Sequence, residues 1–148
     1  MTEPDIFVAY AGSDSLRADA VRNASELIAR RLGLSVLTWE QMQSTGNLLI
    51  QQIQEKIRAS KVVIAEISSL NANVLYEVGY AISQNKHIWL LVDYTDETVR
   101  HNWKTLGLLS GIGYSDYQGD SERLYSLFSA EYPSLLTRQN AWEEMTKS

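Results

Sequence analysis

Residues 61–94 read KVVIAEISSLNANVLYEVGYAISQNKHIWLLVDY, and this stretch decides the fold. Two apolar runs of β-forming residues, 61–67 and 87–94, predict strands. Between them, a polar turn at 68–73 is followed by a helical pattern at 74–84. A strand, a helix and a second strand in this order predict two parallel strands joined by a right-handed crossover.

The same alternation continues on both sides of this unit. Strands are predicted at 6–10, 34–39 and 111–117, and helices at 15–31, 47–59, 96–106 and 121–132. This order predicts one α/β domain of three layers, with a mostly parallel five-stranded sheet and helices on both faces. We assign the domain to residues 1–132. We expect residues 133–148 to form a tail, helical in part, that packs on the domain, mediates self-association or frays.

The composition excludes several classes of function. The chain has 13 Lys and Arg against 18 Asp and Glu, a net charge of −5, which disfavours nucleic-acid binding. It has no cysteine, which excludes disulfides, cysteine zinc sites and a thiol nucleophile. Neither His87 nor His101 lies in a metal-ligand spacing, so no metal site is expected.

The sequence also bears on location. No apolar run approaches the roughly 18 residues that a membrane span needs. The N-terminus carries no positive charge before Ile6, which disfavours a signal peptide. We therefore expect a cytoplasmic protein that does not contact a membrane.

Open parallel sheets bind ligands at the carboxyl ends of their strands. The most informative residue near such an edge is Glu77. If Asn73 caps the helix, Glu77 falls in or just past the first turn, where its carboxylate gains from the helix dipole. Tyr76 and Tyr80 lie on the same side, and Gly79 is expected to let another element approach closely. The alternative is an ordinary first-turn glutamate, and position alone favours that alternative.

Two further acidic residues argue for a site. Asp14 follows the first strand and Glu66 ends the third, so three carboxyl groups could face one crevice with Glu77. The alternative for Glu66 is an edge position or a salt bridge with Lys61 or Lys86. The alternative for Asp14 is a plain helix cap, which we favour for that residue alone.

Three stretches resemble known proteins. Residues 6–14 (IFVAYAGSD) resemble the first strand and loop of Toll/interleukin-1-receptor (TIR) domains. Residues 46–68 (GNLLIQQIQEKIRASKVVIAEIS) are similar to the next helix and strand of that family. Residues 71–81 (NANVLYEVGYA) closely resemble a segment shared by bacterial TIR-like proteins and nucleoside 2-deoxyribosyltransferases. The resemblance covers residues 6–94 and implies a flavodoxin-like, TIR-like fold.

The resemblance also implies a site. Glu77 aligns with the glutamate that TIR NAD hydrolases and deoxyribosyltransferases use at the sugar. The aspartate-rich stretch of the transferases has no counterpart at 68–73, which makes a true transferase less favoured. Around Glu77, we expect substrate-binding residues in the strand-end loops and on the helix: Tyr10, Ala11, Asp14, Trp39, Ser68, Asn73 and Tyr80.

The chemistry implied is cleavage of an N-glycosidic bond in NAD. Nicotinamide is a pyridinium while it is bonded to the ribose and leaves as a neutral base, so one carboxylate that stabilises a cationic ribose can suffice. No Gly-rich dinucleotide fingerprint exists, so NAD is expected as a substrate and no cofactor is expected. The resemblance further implies self-association and a role in antiphage signalling. The alternatives are a non-catalytic TIR-like interaction module, a nucleotide-binding sensor, or a deoxyribosyltransferase-like enzyme.

Overall fold

The computed structural model describes residues 4–42, 47–104, 107–109 and 111–146. Strands and helices alternate along these residues, and short 3-10 turns follow the second strand and the fourth helix. None of the helices in these ranges is both long and apolar enough to span a bilayer. The elements are β1 (Ile6–Ala9), α1 (Ser15–Leu32), β2 (Val36–Thr38), α2 (Asn47–Ala59), β3 (Val62–Glu66), α3 (Ala72–Ser83), β4 (His87–Val92), α4 (Glu97–Lys104), β5 (Ser115–Asp116), α5 (Ser121–Leu135) and α6 (Ala141–Thr146).

The sheet has five parallel strands in the order β2-β1-β3-β4-β5. The predicted single α/β domain with a parallel five-stranded sheet is thereby confirmed. The strand order reverses between β1 and β3, because the chain moves outward to β2 and then returns to the other side of β1. Such a switch point opens a crevice at the carboxyl ends of the two neighbouring strands.

The central strands are buried on both faces because helices cover both. In β3, Val62 and Ile64 pack into the cluster that contains α1 and α5. Val63 and Ala65 pack into the opposite cluster, which contains α2 and α3. Since side chains alternate along a strand, Glu66 lies on the α1/α5 face.

Helix α3 begins two residues earlier than the sequence predicts. Asn71, rather than Asn73, is the N-cap, and its Oδ1 accepts from the N–H groups of Asn73 at 2.9 Å and Val74 at 3.2 Å. Glu77 consequently lies in the second turn, and the first turn holds no acidic residue. The helix dipole acts mainly on the first turn, so the predicted dipole stabilisation of Glu77 is wrong.

The role expected for Gly79 is also wrong. In the part of the chain that the structure describes, a Cβ built at this position meets no atom within 4 Å beyond its chain neighbours and the backbone of its own helix. Because nothing packs against it, Gly79→Ala should raise the free energy of unfolding by about 1 kcal/mol through the better helix propensity of alanine. Urea denaturation measures this. An unchanged or lowered free energy of unfolding would mean that another part of the chain packs closely against Gly79 and needs the absence of a side chain there.

Residues of the predicted tail contact the rest of the fold. Helix α5 continues through Pro133 to Leu135. Ala141 in α6 is buried, and its N–H donates to the carbonyl of Lys86 at 3.0 Å. Trp142, one residue further, is 53% exposed. One side of α6 is therefore packed, and its large aromatic residue faces solvent.

Candidate functional site

A cavity of about 760 Å³ opens at the carboxyl ends of β1 and β3, at the switch point of the sheet. Its walls come from the loop after β1, the turn after β2, helix α2 and the first turns of α3. Five of the residues predicted for the site line it: Tyr10, Ala11, Trp39, Asn73 and Glu77.

Glu77 has an unusual environment for a carboxyl group. Glu77 is only 5% exposed, and its Oε2 has no hydrogen-bond partner among the described residues. Burial raises the pKa of this carboxyl to about 8. No Lys or Arg of the described ranges forms an ion pair with it. A buried acceptor without a donor is costly, so a ligand that supplies a donor or a positive charge is favoured there.

The rest of the wall is apolar or neutral. Ile50 from α2 is exposed at the cavity, and Tyr76 lies beside Glu77. The Tyr76 hydroxyl accepts a hydrogen bond from Gln54 Nε2 at 2.8 Å, which ties α3 to α2. Among the lining residues that the structure describes, Glu77 is the one carboxylic acid, and there is no Lys or Arg.

Trp39 is held in place by the strand beside it. Its Nε1–H donates to the carbonyl oxygen of Tyr10 at 3.0 Å. Gly12 lies directly against the indole, since a Cβ at that position would be 2.7 Å from Trp39 Cζ2. Trp39, one of the predicted substrate-binding residues, therefore gives the cavity an aromatic wall together with Tyr10 and Tyr76, and its position depends on a glycine in the loop after β1.

Asp14 lies outside the cavity, contrary to the expectation. It occupies the N-cap position of α1, but its side chain makes no capping bond. Instead it accepts from Arg17 at 2.7 Å. Arg17 also donates to Asp93 at 3.2 Å and Asp96 at 3.1 Å, so this guanidinium holds Asp14 away from the cavity.

Ser68 and Tyr80 also lie outside the cavity. Ser68 is buried; its hydroxyl donates to Glu66 at 3.0 Å and accepts from the Asp93 N–H at 2.9 Å. The Tyr80 hydroxyl accepts from Arg58 Nη1 at 2.6 Å, across the seam between α2 and α3. Both side chains stabilise neighbouring elements, and neither is available to a ligand in the cavity.

The three-carboxylate crevice does not form. Glu66 lies on the opposite face of the sheet from Glu77, where it accepts hydrogen bonds from Tyr117 and Ser68. Burial raises the pKa of Glu66, although these bonds act in the other direction. The alternative salt bridges are absent too: Lys61 approaches Asp5, and Lys86 donates to a backbone carbonyl of α2.

Sequence reasoning missed several lining residues. The apolar residues of α2 recur at the spacing typical of a buried helix face, yet some of them line the cavity. Asn71 was hidden by the wrong choice of helix cap. The signal for Tyr76 was its place next to Glu77. The missed residues are Gly12, Ser13, Leu49, Ile50, Ile53, Asn71 and Tyr76.

No family model matches the chain. No curated protein matches it in sequence either.

Solved structures do match the fold. A CMP N-glycosidase, BcmB, from Clostridium botulinum aligns with a TM-score of 0.60 and 17% identity, over 84% of this chain and 97% of that one. The TIR domain of the Toll-related receptor TRR-2 from Hydra magnipapillata aligns with a TM-score of 0.51 and 19% identity, over 70% and 95%. The TIR domains of the activated Roq1 resistosome, which recognises the pathogen effector XopQ, align with a TM-score of 0.52 and 13% identity, over 97% and 82%. The TIR-like fold predicted from the sequence is thus confirmed: this chain has the α/β fold that TIR domains and this N-glycosidase share.

Proposed function

We propose that this chain hydrolyses an N-glycosidic bond of a nucleotide, with NAD as the substrate and Glu77 as the carboxylate at the ribose. The observation that carries the proposal is the buried Oε2 of Glu77, which has no hydrogen-bond partner among the described residues and lies in the cavity at the sheet's switch point. A structural neighbour that is a CMP N-glycosidase supports the same type of reaction. Activation by self-association and a role in antiphage signalling belong to this proposal.

The reaction uses Glu77 in its ionised form. As the bond between C1′ and the nicotinamide nitrogen breaks, its electron pair neutralises the pyridinium and the ribose becomes cationic. The Glu77 carboxylate stabilises that charge, and water adds at C1′ and loses a proton to solvent. The cation of the substrate itself favours the ionised carboxyl, so binding of NAD below pH 8 should release a proton.

The choice of NAD follows from the ionisable groups of the cavity. A neutral base needs a proton donor as it leaves, whereas a pyridinium does not. With Glu77 engaged at the sugar, the described lining residues hold no second carboxylic acid to act as that donor. Hydrolysis of a nucleoside monophosphate such as CMP is the second candidate, because the neighbour BcmB is a CMP N-glycosidase.

One experiment separates these candidates. The purified chain, at several protein concentrations, is incubated with NAD or with CMP, and released nicotinamide or cytosine is separated by liquid chromatography. We expect nicotinamide from NAD and no cytosine from CMP. Release of cytosine from CMP without release of nicotinamide from NAD would mean that CMP, and not NAD, is the substrate. Release of neither base, together with concentration-dependent sedimentation, would favour a non-catalytic interaction module.

The pH dependence of the reaction follows from the pKa of about 8 that burial gives Glu77. Because the ionised form is the active one, kcat/KM for NAD should rise about tenfold per pH unit below 8 and level off above it. The midpoint for kcat should lie lower, since the bound cation stabilises the carboxylate. Initial rates between pH 6 and 9.5 measure both profiles. A flat kcat/KM profile would exclude Glu77 as the titrating group.

A further inference from the structure

We propose that Trp39 is the residue that makes the cavity specific for a cationic planar ring, and that Gly12 is required for its position. The inference rests on the proposed function for the place of the sugar next to Glu77. Its central claim, however, concerns the binding of a ring and holds whether or not a bond is cleaved.

Trp39 is fixed by two connections to the end of β1. Its Nε1–H is committed to the Tyr10 carbonyl oxygen at 3.0 Å, so the indole nitrogen does not serve a ligand. The Tyr10 hydroxyl donates to Glu40, the residue that follows Trp39, and this second bond holds the same turn. The Tyr10 and Trp39 rings are 6.0 Å apart between centroids. The indole therefore lines the cavity from a fixed position, with its nitrogen already bonded.

Gly12 sets how closely the indole approaches the loop after β1. A Cβ there would lie 2.7 Å from Trp39 Cζ2 and 3.2 Å from Cη2, closer than real contacts allow. Any other residue at position 12 would push the indole away. Because Gly12 is exposed, an added methyl would act on the position of the indole and leave the buried core unchanged.

The charges around the cavity select for a cation. The face of an indole attracts a cation through its negative quadrupole, and indole does so more strongly than phenyl. In the described part of the wall, Glu77 adds a carboxylate and no Lys or Arg opposes it. A neutral ring gains stacking from Trp39, whereas a pyridinium gains stacking and charge attraction together. Trp39 and Glu77 thus complement a planar cation that lies beside a sugar.

The test uses two rings that have no glycosidic bond: 1-methylnicotinamide, which is a pyridinium cation because its ring nitrogen is methylated, and nicotinamide, its neutral counterpart. Binding is followed by NMR chemical-shift titration at pH 9, where Glu77 is ionised. We expect the cation to bind at least about tenfold more tightly than the neutral ring, and to quench tryptophan fluorescence.

Variants assign that preference to Trp39. Glu77 retains its share of the preference in these variants, so Trp39→Leu and Gly12→Ala should each reduce the ratio of the two affinities at least about threefold relative to the wild type, and Trp39→Phe should retain an intermediate ratio. The matched controls are Trp142→Leu, an exposed tryptophan on α6, and Gly79→Ala, a glycine with free space around it. Both controls should keep the wild-type ratio. Circular dichroism establishes that each variant is folded, and Trp39→Phe keeps the test decisive if Trp39→Leu does not fold.

The outcomes separate this inference from the proposed function. Equal binding of the two rings to the wild type, or an unchanged ratio in Trp39→Phe and Gly12→Ala, overturns the inference even if NAD is cleaved. A Trp39-dependent preference for the cation supports the inference even if no nicotinamide is released from NAD.

Discussion

Glu77→Gln is expected to slow nicotinamide release from NAD by about 1000-fold at pH 9. The glutamine keeps the size of the side chain and removes the negative charge that faces the cationic ribose. Two unit charges 4 Å apart interact by about 4 kcal/mol at an effective dielectric constant of 20. Since about 1.4 kcal/mol corresponds to a factor of ten in rate, this loss amounts to roughly three orders of magnitude. Initial rates of nicotinamide release, compared at saturating and limiting NAD, measure the effect on kcat and on kcat/KM.

Glu66→Gln provides the matched control, because it changes the same residue type in an equally buried position. Glu66 ends β3 on the α1/α5 face and is bonded to Tyr117 and Ser68. Its replacement should leave the rate per folded molecule within about threefold of the wild type. Equal rates for Glu77→Gln and the wild type would exclude Glu77 from the chemistry. A comparable loss in both variants would indicate a general effect of altering a buried acid.

The layered architecture could be predicted because it depends on local patterns. Apolar runs such as 87–94 and the helical spacing of 47–59 are properties of neighbouring residues, and their alternation leaves few topologies. The predicted bounds of α2 match the structure, and β4 begins at His87 as predicted. Open parallel sheets bind ligands at the carboxyl ends of their strands, and this tendency alone suffices to put Glu77 near the ligand-binding edge of the sheet.

The remaining site residues could not be predicted, because their positions depend on partners far away in the sequence. Arg17 draws Asp14 toward Asp93, and Arg58 draws Tyr80 toward α2. Side chains alternate between the two faces of a strand, and Glu66 occupies a position in β3 that faces away from the cavity. A shift of one residue in the register of β3 would turn it toward the other face.

Two similar residues near the start of α3 explain the error in its helix cap. Asn71 and Asn73 are both good N-cap residues, so propensity does not choose between them. The structure chooses Asn71, and the shift of two positions moves Glu77 from the first turn to the second. Glu77 is therefore governed by burial in the cavity wall, which raises its pKa, and not by the helix dipole.

Burial of Glu77 leads to the second large prediction: Glu77→Gln should stabilise the fold, and increasingly so as the pH rises. The folded chain holds this proton up to a pKa of about 8, whereas an unfolded glutamic acid releases it near 4.5. Between these values the unfolded state binds fewer protons than the folded state, so the free energy of unfolding of the wild type falls as the pH rises. Glutamine does not titrate and avoids that loss.

The increase in the free energy of unfolding that Glu77→Gln brings has an upper bound. The difference between pKa values of about 8 and 4.5 corresponds to at most about 5 kcal/mol at pH 9. Urea denaturation of both proteins at pH 4, 6, 7.5 and 9 should give nearly equal free energies at pH 4 and a difference that grows to the full value by pH 9. The control is Glu26→Gln, which removes the charge of an exposed carboxyl on α1 and should show no such growth.

A pH-independent difference for Glu77→Gln would mean that the Glu77 carboxyl is solvated in the folded chain. In that case, the cavity would not hold the carboxylate poised for a cation, because water would already compensate its charge.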